Sequence, residues 1–533
     1  MPLFELPVMN VSSRERDKEI IEKAKNKVKP KKKNNIYDRM EETRRLVNSS
    51  LGKYKDEYYT ILDYDEFDRY IAKANENGVI AIDTETTGLD PILDKLVGIC
   101  IYTPGEKPAY IPVNHKDFVT GERISRQLNE EQCGEILRKL KPECKIIMFN
   151  ATFDIRVLRN QTKAFLRCYW DCYVAARLIN ENEPMGGNKL KVLHKKYVLK
   201  GKEDEFTFAQ LFDTDNEATN FASVPIDIAY LYGAHDAIVT YEYYEWQAKI
   251  LRPDSPRKDA RDVYNLFMNI EMPVIAAVAD MEDNGITYNK EMQQKLIPEF
   301  SKVVDESKAA VYAELDKYAN KLAKYRNSRV KVETVRNGVK KVEEKYGYEL
   351  LDDPVNLDSP SQLAIILYDI MGLTSPEPKM PRGTGEKDVL SKMDAPIAKN
   401  LIQYKKNLKL LRDFVIGLNR FVNPLDNKIH GKFNSLGANT GRFASHDPNL
   451  QQVPAKGKGK KVRQMFKASM EYHDVSNEDN TYKVKYTDEI EVDKDNWVAV
   501  KNLKVNDKIL NSEGEFETVK SIEYKYPYYY IEV

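Results

Sequence analysis

The sequence is poor in the features that mark secreted or membrane-spanning chains. Only five cysteines (Cys100, Cys133, Cys144, Cys168 and Cys172) occur in 533 residues, too few for a disulfide framework in a chain this long. Cys168 and Cys172 frame Cys-Tyr-Trp-Asp-Cys, but no nearby Cys or His pair completes a zinc set. All five are expected to be reduced core thiols. No apolar run reaches the roughly 18 residues a membrane-spanning helix needs. The start, MPLFELPVMNVSSRERDKE, lacks a basic segment followed by a long apolar stretch, so no secretory leader is expected. A reducing compartment, the cytoplasm, is the expected location. Net charge is also lacking: 83 basic residues balance 83 acidic ones, so no global field selects a polyanion. Any such preference must come from local patches. No internal repeat of solenoid period is visible.

Apolar residues, at 42%, suffice for proper cores, and the length suggests about three domains at roughly 100–200 residues each. Residues 1–55 are polar and charged, with Lys23, Lys25, Lys27, Lys29, Lys31, Lys32 and Lys33 crowded around Pro30. Charge this dense repels itself, and the segment reads as a flexible extension, either solubilising or phosphate-binding. From residue 56 a short strand and a helix lead into VIAIDTET, whose continuous apolar run reads as a buried strand. LVGICIY, AYIPV and KIIMFN are further strands, with a helix from Glu130 to Leu140 before the last. PIDIAYLYGAHDAIVTYEYYEWQAKIL is a long helix. Together these imply a mixed sheet covered on both faces, over residues 56–252. Pro253-Asp254-Ser255-Pro256 punctuates the chain. Residues 257–469 are mostly helical, with a charged hairpin or loop near 326–350. Residues 470–533 alternate like short β-strands joined by Asn and Gly turns.

Asp83 and Glu85 are two apart on a strand and share one face. Two carboxylates at the end of a buried strand are costly unless a cation lies between them, and Mg²⁺ suits carboxylate oxygen. Solvated turn carboxylates are the blander explanation. Asp154 falls in the first helical turn after KIIMFN, a favourable place for any carboxylate. Tyr232 and Asp236, four apart on the long helix, share a face, a spacing common enough to mean nothing alone.

The segments IDTETTGLD, NATFD and YGAHD, in that order, are far more specific together. They resemble the 3′–5′ exonuclease domain of the family A DNA polymerases, the bacterial and phage DNA polymerase I family. The resemblance implies a ribonuclease H-like α/β fold and two divalent ions, Mg²⁺ or Mn²⁺. Asp83, Glu85, Asp154 and Asp236 would hold the ions, and Tyr232 would orient the attacking water. It also implies that Leu89 and Phe153 pack on the terminal bases, with Asn150 near the sugar-phosphate. A histidine subclass would carry His where Leu231 stands, so the tyrosine subclass is indicated. His235 reads as structural.

The same family is resembled further on. IEMPVIAAVADMEDNGI is similar to the opening of its polymerase domain, and NLDSPSQL to a helix start in its thumb. Asp358 or Ser359 can cap the helix that Pro360 opens. NTGRFASHDPNLQQVP matches a family motif nearly position for position. It implies that Arg442, Asn449 and Gln451 contact a primer–template duplex. The lysine-rich loop after it, with Lys456, Lys458, Lys460, Lys461 and Arg463, reads as phosphate-contacting. After RQMFKAS the family's first nucleotidyl-transfer aspartate is expected, yet Asp474 and Asp479 lie in another context. The chain therefore reads as the exonuclease, the thumb and the start of the palm. It is expected to bind a DNA 3′ end and a primer–template, with a second polymerase fragment as an alternative source of the palm. If the chain is phage-encoded, the bacterial host cytoplasm is its expected place. The tail loosely resembles a strand unit of intein or hedgehog-type modules, with Asn506 where a glycine is usual and no junction Cys. An inserted β-module without catalysis is the simpler reading.

Overall fold

The computed structural model describes residues 36–180, 188–201, 221–336, 339–438 and 440–467. Of the tail it describes 481–485, 489–493, 496–499, 503–504, 508–510, 516–525 and 528–532. The lysine cluster at 23–33, Asp474, Asp479 and Asn506 lie outside the described residues. The chain divides into two compact units between Asp280 and Met281.

The first unit is built on a six-stranded sheet. Its strands are β1 (Tyr59–Thr60), β2 (Val79–Thr86), β3 (Leu96–Tyr102), β4 (Ala109–Pro112), β5 (Lys145–Met148) and β6 (Cys168–Asp171), in the order β1-β4-β3-β2-β5-β6. β2, β5 and β6 run parallel, and β3 pairs antiparallel with both β2 and β4. β3 is buried at every residue but its last and β4 at every residue, so helices cover both faces, as the unbroken apolar runs require. The helix Tyr64–Asn77 shows why its boundaries fall where they do. The Asp63 side chain accepts from Glu66 N at its start, and Gly78 closes it with φ 70°, a conformation that costs glycine nothing.

Two boundaries differ from the sequence reading. The charged extension ends earlier than residue 55: Ile36–Leu51 is a helix, α1, whose Val47 and Leu51 are buried in the first unit's core. Spaced four apart, these two form the apolar stripe that charge density concealed. The first unit also runs past residue 252. Phe267 is fully buried with its ring 4.6 Å from Trp170, and Met272 Sδ accepts from Asp171 N at 3.4 Å. The Pro-Asp-Ser-Pro stretch is a turn within the compact unit, which continues past it. A smaller difference is the helix at Glu130, which ends at Leu137.

The second unit's core gathers Leu296, Phe300, Val311, Leu363, Leu367, Leu401 and Val415 from its helices. Its longest helix is Lys290–Asp316. The charged segment is a regular antiparallel hairpin, Arg329–Arg336 with Val339–Tyr346. Ser359 caps the helix Pro360–Ala364, its Oγ accepting from Gln362 N at 3.4 Å. In the tail, Thr481–Lys485 and Ser521–Lys525 both pair antiparallel with Tyr528–Glu532, and two further strand pairs complete the β-rich segment. Among the described residues no helix is long and apolar enough to cross a membrane.

Candidate active site

β2 carries Asp83 and Glu85, opposite Cys100 and Gly98 of β3. Asp83, Glu85 and Cys100 each offer an atom within 4.8 Å of the others. Thr84, between the two acids, points the other way. Its backbone N–H and its hydroxyl both donate to Asp154 Oδ1, at 3.0 and 2.6 Å. This ties the first turn of α4 (Ala151–Thr162) to β2 and fixes Asp154 beside the strand.

The start of α4 is held by Asp171, at the end of β6. Its carboxylate accepts from Asn150 N at 2.9 Å and Ala151 N at 2.8 Å, and also from Tyr173 N and Val174 N of the next helix. Asn150 has φ 65°, a left-handed conformation that Asn tolerates better than most residues. Asp171 is absent from the sequence reading. The available signal was an acidic residue immediately before a helix, in the N-cap position.

The fourth carboxylate, Asp236, and the phenol of Tyr232 come from α7 (Ile226–Ile250), which packs across β2, β3 and β4. The approach is close at Gly233: a β-carbon there would lie 2.7 Å from the Tyr110 ring and 2.8 Å from Cys100 Sγ. His235 faces away, with Nδ1 2.9 Å from Tyr58 Oη and its ring stacked on Tyr54.

The four acids act on one another electrostatically. Lost hydration, then the charges of Asp154, Glu85 and Asp236, push the Asp83 carboxyl well up. Glu85 is raised by burial and then by Asp236. Asp154 is raised by burial, against the hydrogen bonds from Thr84. Burial and then the Asp236, Glu85 and Asp83 charges push the Tyr232 phenol well up too. The Cys100 thiol is raised by burial and by the same acids, so it stays neutral. Lys191, which the sequence reading overlooked, brings the opposite charge. Its Nζ lies 2.6 Å from Asp236 Oδ1 and 3.6 Å from the centre of the Tyr232 ring.

Crowded carboxylates raised in this way are a site short of positive charge. Asp236 Oδ1 is buried against the Lys191 ammonium, and the carboxylate oxygens of Asp83 and Glu85 lie within 4.8 Å of each other, a spacing one hard divalent ion can bridge. The donor set therefore fits Mg²⁺ or Mn²⁺. Leu89, in the loop leaving β2, is 77% exposed, while Phe153 on α4 is half-buried and Asn150 is exposed.

In the second unit, Lys432–Asn434 pairs with Ala444–His446, and the segment after this hairpin exposes Asn449 and Gln451. Arg442 is exposed between the two strands, and Gln451 Nε2 donates to Phe443 O at 2.8 Å. The lysine-rich stretch is not an open loop. Gly457–Met465 forms successive 3₁₀ turns anchored by buried Val462 and Met465, with Lys460 and Arg463 exposed. Lys461 is engaged by Glu299, and Arg463 Nε donates to Pro454 O.

A sheet of this order, with four acids carried by one strand and two helices, defines the ribonuclease H-like 3′–5′ exonuclease class. Residues 58–251 match the 3′-5′ exonuclease family, and residues 326–480 match DNA polymerase family A. The chain belongs to the family A DNA polymerases that carry an exonuclease domain. It is 26% identical to DNA polymerase I of Chloroflexus aurantiacus over 75% of this chain and 38% of that one. It is 28% identical to DNA polymerase I of Borreliella burgdorferi over 77% of this chain and 39% of that one. The DNA polymerase of Bacillus phage SP01 is 24% identical over 74% of this chain and 44% of that one. The chain thus spans about 40% of the length of the curated relatives it matches. Among solved structures, the POL domain of Pol1 from M. smegmatis, in complex with DNA primer-template and dNTP, shares the fold. That likeness has a TM-score of 0.53 at 18% identity, over 80% of this chain and 60% of that one.

Proposed function

We propose that the first unit removes nucleotides from DNA 3′ ends and that Asp83, Glu85, Asp154 and Asp236 hold two divalent ions, Mg²⁺ or Mn²⁺. The observation that carries this reading is the gathering of the four acids beside β2, with Asp154 tied to Thr84 and Asp236 acting on Asp83 and Glu85. Such ions, when bound, activate water and stabilise the leaving 3′-oxygen. The protein's own contributions are positional. β2 fixes Asp83 and Glu85, Thr84 holds Asp154, and α7 presents Tyr232 with Asp236. Tyr232 stays protonated, so it orients water by its hydroxyl and does not act as a base. Leu89 offers an exposed apolar surface to the terminal base. Phe153 packs beside that base and Asn150 lies near its sugar-phosphate. Stacking of this kind tolerates any sequence, as a proofreader requires.

The second unit is proposed to grip a primer–template through Arg442, Asn449, Gln451, Lys460 and Arg463. The four segments 1–55, 56–252, 257–469 and 470–533 remain the proposed functional divisions, with the structural edges shifted as described. The nucleotidyl-transfer acids of the family are proposed to be missing from these 533 residues, Asp474 and Asp479 standing in another context. Primer extension is therefore proposed to need them from further sequence or from a second chain. The proposed setting is the cytoplasm, of a bacterial host if the gene is a phage's.

The test is digestion of 3′-labelled single-stranded DNA with Mg²⁺, with and without a chelator. Metal-dependent shortening that disappears in Asp83→Ala/Glu85→Ala is expected. Undiminished digestion by the double variant would overturn the assignment.

A further inference from the structure

Five charged groups gather beside β2: four carboxylates and one ammonium. The ammonium belongs to Lys191 on α6 (Leu190–Tyr197), a helix that packs along α7. Its side chain is 10% exposed. Burying an ammonium is expensive unless charge and hydrogen bonds replace its water. Here hydrogen bonds do not: neither Lys191 Nζ nor Asp236 Oδ1 makes one. What holds the ammonium is the close charge of Asp236 and the face of the Tyr232 ring. Its influence also reaches Asp83 and Glu85, whose carboxyls it pulls down against every other charge in the site. The ammonium therefore lies against Asp236 and acts on the two strand-borne acids as well.

We propose that Lys191 is the internal counter-cation of this centre. It takes the place of a divalent ion at Asp236 when metal is absent, and it must release Asp236 before an ion can bind there. The inference rests on the metal-centre reading above. An ammonium and a divalent ion cannot share Asp236 Oδ1, since like charges at such separation repel strongly. Lysine suits the exchange because its charge rides on a flexible four-carbon stem and can withdraw without disturbing the helix. The arrangement would keep four crowded acids tolerable in the metal-free fold, at the expense of metal affinity.

The experiment is Mn²⁺ titration of the full chain at pH 8, followed by calorimetry or electron paramagnetic resonance. The parent is compared with Lys191→Met, Lys191→Gln, Lys191→Arg and Asp83→Ala. Removing a positive charge beside a ligand should tighten the weaker Mn²⁺ site roughly 10-fold or more in the Met and Gln variants. Arg, which keeps the charge, should stay near the parent. Melting is then measured in EDTA and in saturating Mn²⁺. The neutral variants should melt below the parent in EDTA, with the gap closing or reversing in Mn²⁺. An equal loss of Tm in both conditions, with unchanged Mn²⁺ affinity, would make Lys191 a packing residue and overturn the proposal. Should the Met variant fail to fold, the Gln variant carries the same readings. If Asp83→Ala binds Mn²⁺ like the parent, the metal-centre reading itself falls. If Asp83→Ala loses Mn²⁺ while the Lys191 variants bind unchanged, only the counter-cation inference falls.

Discussion

Tyr232 and His115 show how burial decides what a side chain can do. The Tyr232 phenol is held protonated by burial and by three neighbouring acids, which leaves it only its hydrogen bond. Tyr232→Phe should therefore keep Mn²⁺ binding and slow hydrolysis by roughly 10–1000-fold, as expected for the loss of a water-orienting group. Single-turnover rates beside a metal titration check both halves, and an unchanged rate would remove Tyr232 from the mechanism. His115 lies behind the site, with Nε2 2.6 Å from Tyr110 Oη and Nδ1 2.9 Å from Val224 O. Burial lowers it to about 4. Unfolded, it would titrate near 6.5. Its folded value is the lower one, so the unfolded chain binds the extra proton, and stability falls as pH drops from about 6.5 towards 4. The raised acids of the site act with the opposite sign over the same range, so the His115 share is read as the difference between the melting curves of the parent and of His115→Gln from pH 8 to pH 4.5, the parent losing more stability than the variant as pH falls.

At the scale of elements, the placing of Asp154 depends on two anchors at the start of α4. One is Thr84 from β2, and the other is Asp171 from β6. Asp171→Ala would leave four backbone N–H groups without their acceptor, one on α4 and one at its N-cap. A cost of about 3 kcal/mol or more is expected, since each orphaned buried donor carries its own penalty. Activity should fall with it, because Asp154 would lose its fixed position. Urea unfolding of the variant measures the first effect and metal-dependent digestion the second. The elements themselves were largely readable. Runs such as LVGICIY and KIIMFN are strands because burial on both faces demands unbroken apolar residues. The hairpin at 329–346 follows from its alternation. The helix at Ile36–Leu51 escaped notice because its apolar stripe is thin within a charged segment. The edge near residue 252 agrees with the end of the exonuclease match at residue 251, while the compact unit runs on because Phe267 returns to Trp170, which only tertiary packing shows.

The same distinction governs the site as a whole. Asp83, Glu85, Asp154, Tyr232 and Asp236 stand in short strings whose local order is informative. Lys191 stands in a run of ordinary lysines, NKLKVLHKKY, and Cys100 in an ordinary strand. Nothing local reveals that the fold brings either to the acids. For the second unit, the proposed grip on duplex is electrostatic and should weaken steeply with salt, in proportion to the phosphates contacted. Fluorescence anisotropy on a primer–template between 50 and 300 mM salt reads that slope directly. Arg442→Ala with Lys460→Ala should flatten it by about two, roughly one for each lost phosphate contact. With Asp83 and Glu85 replaced by alanine, the 533-residue chain offered primer–template, Mg²⁺ and four nucleotides is expected to leave the primer unextended. Extension by the purified chain would show that nucleotidyl-transfer acids are present after all.

Gly233 sits between Tyr232 and Asp236 at the point where α7 meets the sheet, against Cys100 and Tyr110. Its missing β-carbon works as a calliper. It sets how far the helix-borne acid stands from the two strand-borne acids, and so the width of the gap a cation must bridge. Mg²⁺ tolerates little deviation from its preferred geometry, so under the proposed metal-centre reading the absent β-carbon would bear on which ion fits. A single methyl group at this position would widen the jaws without touching any of the acids themselves.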